Sequence, residues 1–318
     1  MDGFPHAARM QSEVAARVAE TAARQHGAIT RAQVLAAGAS RHAIAHALER
    51  RRWRIVLPAT YVIGTAPLAS VTWACAAVLY AGPTAVLARA SAAAAHGLIP
   101  WPSVVEVLHD RRTRLAHAHL RLLWTRDLRP HELVVVHGIR TTSPLRTLLD
   151  IADDLRELDL ADVAAKALRR GLVDRRELER ALADTPRHPY TRALREMVAT
   201  PGQADSGVEV VLASALRKLG IDVELNASLM TPGGYARRGD VVIPSAHVVV
   251  QIDSEAFHTG NRAEADMRRD ADWMSMGYRT VRVSPRRVRR ELAAVAQEIA
   301  RVCLMPFGPA WGGMERVK

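Results

Sequence analysis

Between residues 12 and 64 a helical period is interrupted twice by glycine and then gives way to a period of two. Val14, Ala15, Val18 and Ala22 form an apolar stripe at helical spacing, and Gly27 ends it. Thr30 followed by Gln33 is a capping-box signature for a short second helix, which Gly38 stops at Ala37. Ser40 caps a third helix. On it Ile44, Ala47 and Leu48 share one face, Arg41, His42, His46 and Glu49 turn to solvent, and Arg50, Arg51 and Arg52 close its end. Trp53, Ile55 and Leu57 then alternate, Pro58-Ala59 turns, and Tyr61 and Ile63 alternate again, which predicts a β-hairpin. Helix, helix, tight turn, helix and hairpin in this order predict a winged helix-turn-helix within residues 1–66.

The physics of that plan suits double-stranded DNA. A third helix of about ten residues fits the major groove, where Arg41, His42 and His46 would face base edges and Arg50, Arg51 and Arg52 would hold phosphates. The charge balance agrees: 44 basic against 33 acidic residues leave +11, a field that favours polyanions. Only Lys166, Lys218 and Lys318 are lysines, so phosphates would meet forked guanidinium groups. The competing reading is an arginine-rich module that binds an acidic protein or RNA.

The same sequence excludes other classes. The richest apolar stretch, 71–99, is cut by Gly82-Pro83, Arg89 and His96, too early for a membrane span, and the start lacks a signal peptide's apolar core. Cys75 and Cys303 alone exclude a disulfide framework or a cysteine-rich zinc site. The expectation is a cytoplasmic protein with no membrane contact and no small-molecule cofactor.

Residues 67–200 are alanine-rich and predict a mostly helical middle domain, with helices at 70–80, 84–96, 144–155, 159–170 and 174–182 and short strands at 104–108 and 133–136. His117 and His119 share a face if that stretch is a strand, but no third metal ligand is marked, so solvated or packed imidazoles are the favoured reading. Arg140 to Pro144 offers hydroxyls and a helix start, suited either to a phosphate or to a simple cap.

Residues 201–318 predict the order αβββαβα: a helix at 206–219, strands at 223–229, 241–243 and 247–253, a helix at 263–276, a strand at 278–283 and a closing helix. Asp240 is expected to open the second strand. The third is apolar enough to be buried on both faces, and Gln251 and Asp253 lie two apart on it, hence on one face. Glu209 can approach from the preceding helix. Oxygen ligands converging at a sheet edge suit Mg²⁺, and His258, just beyond the strand, would serve as an acid or base or hold a phosphate. Asp240 and Asp253 as plain strand-end turn residues is the bland alternative.

Two resemblances sharpen this. Residues 25–64, the run Gly138-Ile-Arg-Thr-Thr-Ser-Pro-Leu-Arg-Thr-Leu-Leu-Asp-Ile-Ala152 and Ala167-Leu-Arg-Arg-Gly-Leu-Val173 resemble the AbiEi family of abortive-infection antitoxins. That implies a winged-helix DNA binder which represses its own operon, with a nucleotidyltransferase-like toxin commonly encoded alongside. Ser206-Gly-Val-Glu209, Asp240, the strand ending in Asp253 with His258 beyond it, and Asp266-Met-Arg-Arg-Asp270 before Gly277-Tyr278 resemble the PD-(D/E)XK nuclease superfamily, in its branch similar to very-short-patch repair endonucleases.

This second resemblance implies metal-site roles for Glu209, Asp240 and Asp253, catalytic roles for Asp240, Gln251, Asp253 and His258, and Mg²⁺ as cofactor. Gln251 stands where relatives usually carry Glu, so the implied endonuclease would be impaired; an active Mg²⁺-dependent DNA endonuclease targeted by the winged helix is the alternative. The expected class is therefore α+β or α/β, multidomain. It comprises a winged helix-turn-helix (1–66), a mainly helical domain (67–200) and an αβββαβ restriction-endonuclease-like domain (201–318).

Overall fold

The computed structural model describes residues 3–110, 117–125, 128–184, 191–199, 206–253 and 260–305. Among them lie twelve α-helices and three β-sheets, so the protein is of the mixed α+β, multidomain class. The chain folds as two units, 1–151 and 152–318. Among the described residues no helix is long and apolar enough to cross a membrane.

In the first unit, α1 (Gly3–Arg24) ends in a turn whose Gly27 sits at φ +84°, a left-handed conformation that strains any side chain. A strand that sequence periodicity does not announce follows, β1 (Ala28–Thr30). α2 (Arg31–Ala36) starts on a reciprocal capping box: Gln33 N–H donates to Thr30 Oγ1 (3.2 Å) and Thr30 N–H to Gln33 Oε1 (2.9 Å). Ser40 Oγ accepts Ala43 N–H (3.1 Å) and caps α3 (Arg41–Glu49).

β2 (Trp53–Leu57) and β3 (Thr60–Ile63) complete an antiparallel sheet ordered β1-β3-β2. A bulge between Ile55 and Leu57 breaks the expected alternation, so Leu57 is buried while Ile55 stays 64% exposed. Val18, Ala22, Ile29, Val34, Ile44 and Tyr61 form the core beneath these helices.

The chain continues through α4 (Ser70–Ala81), β4 (Val86–Leu87), α5 (Arg89–Ala95), β5 (Val105–His109), β6 (Leu120–Trp124), β7 (Leu133–Val136), β8 (Ile139–Thr142) and α6 (Pro144–Asp150). The strands form one mixed sheet in the order β6-β5-β4-β8-β7. Residues 84–96 are thus not one helix. Val86 and Leu87, fully buried, pair with β5 and β8, and Arg89 at φ +49° turns the chain into α5. An unbroken apolar run carries no period to separate a buried strand from a helix. α6 stops at Asp150, short of the predicted 155. Ala28, Leu57 and Val62 from the N-terminal sheet share one apolar cluster with Ala74, Leu87, Val105 and Leu120.

The second unit holds α7 (Glu157–Arg169), α8 (Arg175–Asp184), α9 (Arg192–Ala199), α10 (Gly207–Lys218), β9 (Glu224–Met230), β10 (Ala236–Ile243), β11 (Val248–Ile252), α11 (Gly260–Ser275), β12 (Arg279–Val283) and α12 (Pro285–Leu304). From α10 onward the order is αβββαβα, as the sequence predicts. The sheet runs β12-β11-β10-β9, with β11 and β12 parallel and the other pairs antiparallel. β11 is interior, and Val248, Val249 and Val250 are fully buried.

α10 packs tightly on α7: a Cβ at Gly207 would collide with the backbone of Ala161 and Asp162. β10 begins at Ala236 rather than at Asp240, because its ladder with β9 runs out to Ala236↔Met230. Asp240 therefore lies inside a strand and does not open one.

Candidate functional site

Ser40, an N-cap, and the apolar spacing of Ile44, Ala47 and Leu48 fix how α3 sits. Ile44 is buried in the core, Ala47 and Leu48 are half-buried, and Arg41, His42 and His46 are exposed, as their spacing predicts. Arg50, Arg51 and Arg52 are exposed as well. The helix closes on them: Arg51 N–H donates to Leu48 O (3.0 Å) and Arg52 N–H to Ala47 O (2.9 Å), with Arg51 left-handed at φ +53°. Among the described residues none of these six side chains has a hydrogen bond or ion pair.

Several arginines of the second unit are instead paired with carboxylates. Arg237 pairs with Asp272 (2.6 Å), Arg287 with Glu298 (2.5 Å), and Arg282 with two aspartates.

The second cluster is built on β9 to β12. Ser206 caps α10 and donates Oγ–H to Glu209 Oε1 (3.0 Å), while Asn226 Nδ2 donates to Glu209 Oε2 (2.6 Å). Glu209 is 5% exposed. The β9/β10 register passes from Ala227↔Gly239 to Leu225↔Val241, which leaves Asp240 level with Asn226, itself left-handed at φ +52°. Extending Val241↔Val250 by one position sets Asp240 level with Gln251, and Gln251 pairs with Arg282. Asn226, Asp240, Gln251 and Arg282 thus form one row across four strands, with Glu209 reaching it from α10.

Each member of the row is held differently. Asp240 Oδ2 accepts the backbone N–H of Ile252 (2.7 Å). Gln251 is 3% exposed, and its Nε2 has no hydrogen-bond partner among the described residues. Arg282 donates from Nη1 to Asp253 (2.6 Å) and from Nη2 and Nε to Asp270 (3.0 and 3.2 Å). Burial disfavours its charge, yet the hydrogen bonds and charges of Asp270 and Asp253 more than offset that and raise its pKa.

These described donors do not fit Mg²⁺, which asks for oxygens, charged ones above all. Gln251 brings no charge, its buried Nε2 has no hydrogen-bond partner among the described residues, and Arg282 already neutralises Asp253. Among the described residues no three His, Cys, Asp or Glu side chains group as metal ligands. His258 lies outside the described residues. Asn226 and Arg282 are members that sequence reading passed over. The available signal for Arg282 was a single arginine between Val281 and Val283 in a predicted strand.

His117 and His119 sit beside β6 at a cavity lined also by Trp73 and Trp101, within the first unit. Arg140 lies on β8, and Ser143 is the N-cap of α6, its Oγ accepting Arg146 N–H (3.3 Å).

No protein-family model matches the chain. It is 28% identical over 172 residues to uncharacterized protein MT2308 of Mycobacterium tuberculosis strain CDC 1551 / Oshkosh, and equally to uncharacterized protein Rv2248 of strain H37Rv. The match covers 52% of this chain and 62% of each relative, less than two thirds of their length.

Proposed function

We propose that the protein binds double-stranded DNA as a winged helix-turn-helix regulator of the AbiEi kind, with α3 as the helix that enters the major groove. The observation that carries the reading is the set of six exposed basic side chains on and after α3 that have no partner among the described residues. Basic groups without internal partners keep their full charge for phosphates and base edges, whereas paired ones must first lose a carboxylate. Arg41, His42 and His46 take the groove, and Arg50, Arg51 and Arg52 take the backbone. The operon it controls would be its own, with a nucleotidyltransferase-like toxin gene as genetic partner.

In this reading the second unit grips DNA without cutting it. Gln251 and Arg282 set the row against a cation, and no hydrolytic step is assigned to it.

Fluorescence anisotropy with a duplex from the upstream region of the gene tests the proposal. If about six phosphates are neutralised, affinity falls about 10³-fold between 50 and 200 mM salt; a flat salt response overturns it. Supercoiled plasmid incubated with Mg²⁺ or Mn²⁺ should stay intact. Nicking that Asp240→Ala abolishes would instead restore the endonuclease reading.

A further inference from the structure

A cavity of about 390 Å³ opens in the first unit, walled by Trp73, Trp101, Val105, His117, His119 and Val56. Its volume falls within the range of small-molecule sites. Trp73 is held from two sides: its indole N–H donates to His119 O (3.3 Å), and its ring centroid lies 5.3 Å from that of His117. His117 is held too, since its Nδ1 accepts the backbone N–H of His119 (3.2 Å). That bond leaves Nε2 as the hydrogen-bearing nitrogen of the ring. Trp73 and His117 are therefore held before any ligand arrives, the condition under which a planar ring stacks at low entropic cost.

The charge of the occupant follows from the polar lining. Ser70 and Ser103 hydroxyls and two imidazoles line the cavity, and among the described residues no carboxylate does. Ser70 is also the first residue of α4, whose N-cap is Ala69, a residue with no side-chain oxygen to satisfy the first-turn amides. Both hydroxyls and both imidazoles can donate to an anion, and the first-turn amides of α4 add to the same side of the balance.

We infer that this cavity is a binding site for a small planar aromatic carboxylate, its ring between Trp73 and Trp101 and its carboxylate toward His117, His119 and Ser70. The site uses none of the residues assigned to DNA contact, so it stands or falls independently of that reading.

Isothermal titration of the full chain with 2-naphthoate, against the uncharged 2-naphthamide, tests it. The acid should bind at one saturable site and at least about tenfold more tightly than the amide, a gap of about 1.4 kcal/mol. Trp101→Leu and His119→Gln should each weaken the acid by a comparable factor. NMR of the wild-type protein, which removes any question of variant folding, should show shifts concentrated at the Trp73 indole N–H and the His117 and His119 rings. No saturation up to 10 mM acid, equal affinity for acid and amide, or shifts elsewhere in the molecule would overturn the inference.

Discussion

Arg282 stands 2.6 Å from Asp253 Oδ2, on the strand beside the one that Asp253 follows, and holds Asp270 with its remaining nitrogens. The guanidinium is thus the cation of this cluster. Replacing it leaves two carboxylates facing one another without a counter-charge. Asp253 is 43% exposed, which lets water compensate in part. Arg282→Leu should lower stability by about 1–2 kcal/mol, read as a reduced urea midpoint at unchanged m-value. A midpoint equal to wild type would show that the pair contributes nothing.

Removing side chains from α3 should separate binding from folding. Arg41→Ala and His46→Ala touch exposed groups without partners among the described residues, so thermal melts should be unchanged within about 0.5 kcal/mol. DNA affinity should fall by about 1–3 kcal/mol for a side chain that reads a base edge. Unaltered affinity in both variants would remove α3 from the groove.

At Arg51 the two properties should move in opposite directions. This residue occupies the left-handed position that closes α3, at φ +53°, where glycine is unstrained. Arg51→Gly should raise stability by about 1 kcal/mol, since the side-chain strain is removed. The same change should weaken DNA binding and reduce the salt slope by about 1, as one phosphate contact is lost. Denaturant midpoints and salt titrations of the one variant check both signs.

Asp150 gives a pH signature. Burial raises its carboxyl above the usual aspartate value by more than Arg146, 2.7 Å away, lowers it, and its Oδ2 has no hydrogen-bond partner among the described residues. An acid whose folded pKa is raised takes up a proton more readily folded than unfolded. Its stabilising contribution is therefore present at low pH and is lost as pH rises from the ordinary aspartate range through the folded value. Asp150→Asn removes that loss, so the variant should gain on wild type as pH climbs from about 4 to about 7. Melting curves across that range that show the variant losing ground would contradict the sign.

Cys75 should be inert. Burial pushes its thiol up to about 11, so at pH 8 only about one molecule in 10³ carries the thiolate that alkylating agents attack. Iodoacetamide followed by mass spectrometry should label Cys75 only after denaturation. The half-buried Cys303, also raised by burial, should react first.

What could be read from sequence was what local chemistry settles. Thr30 with Gln33, and Ser40 before α3, satisfy orphan amides within three residues, so their caps are written in neighbouring letters. The αβββαβα order is punctuated by Gly220, Pro244 and Gly277, which break periods visibly. β1, three residues long, has no alternation to display, and Val86 and Leu87 become a strand only because β5 and β8 lie beside them. The site divides in the same way. Exposure of Arg41, His42 and His46 follows from helical spacing, whereas the capture of Asp253 by Arg282, 29 positions away, depends on a parallel pairing no spacing encodes.

Ala28, Leu57 and Val62 on the small N-terminal sheet interlock with Ala74 of α4 and with Leu87 and Val105 of the larger sheet. The proposed reading head therefore has no seam. Cutting the chain near residue 66 would expose apolar surface on both sides of the cut. Such a head is not a cassette that recombination can swap between proteins; it inherits its posture from the body behind it.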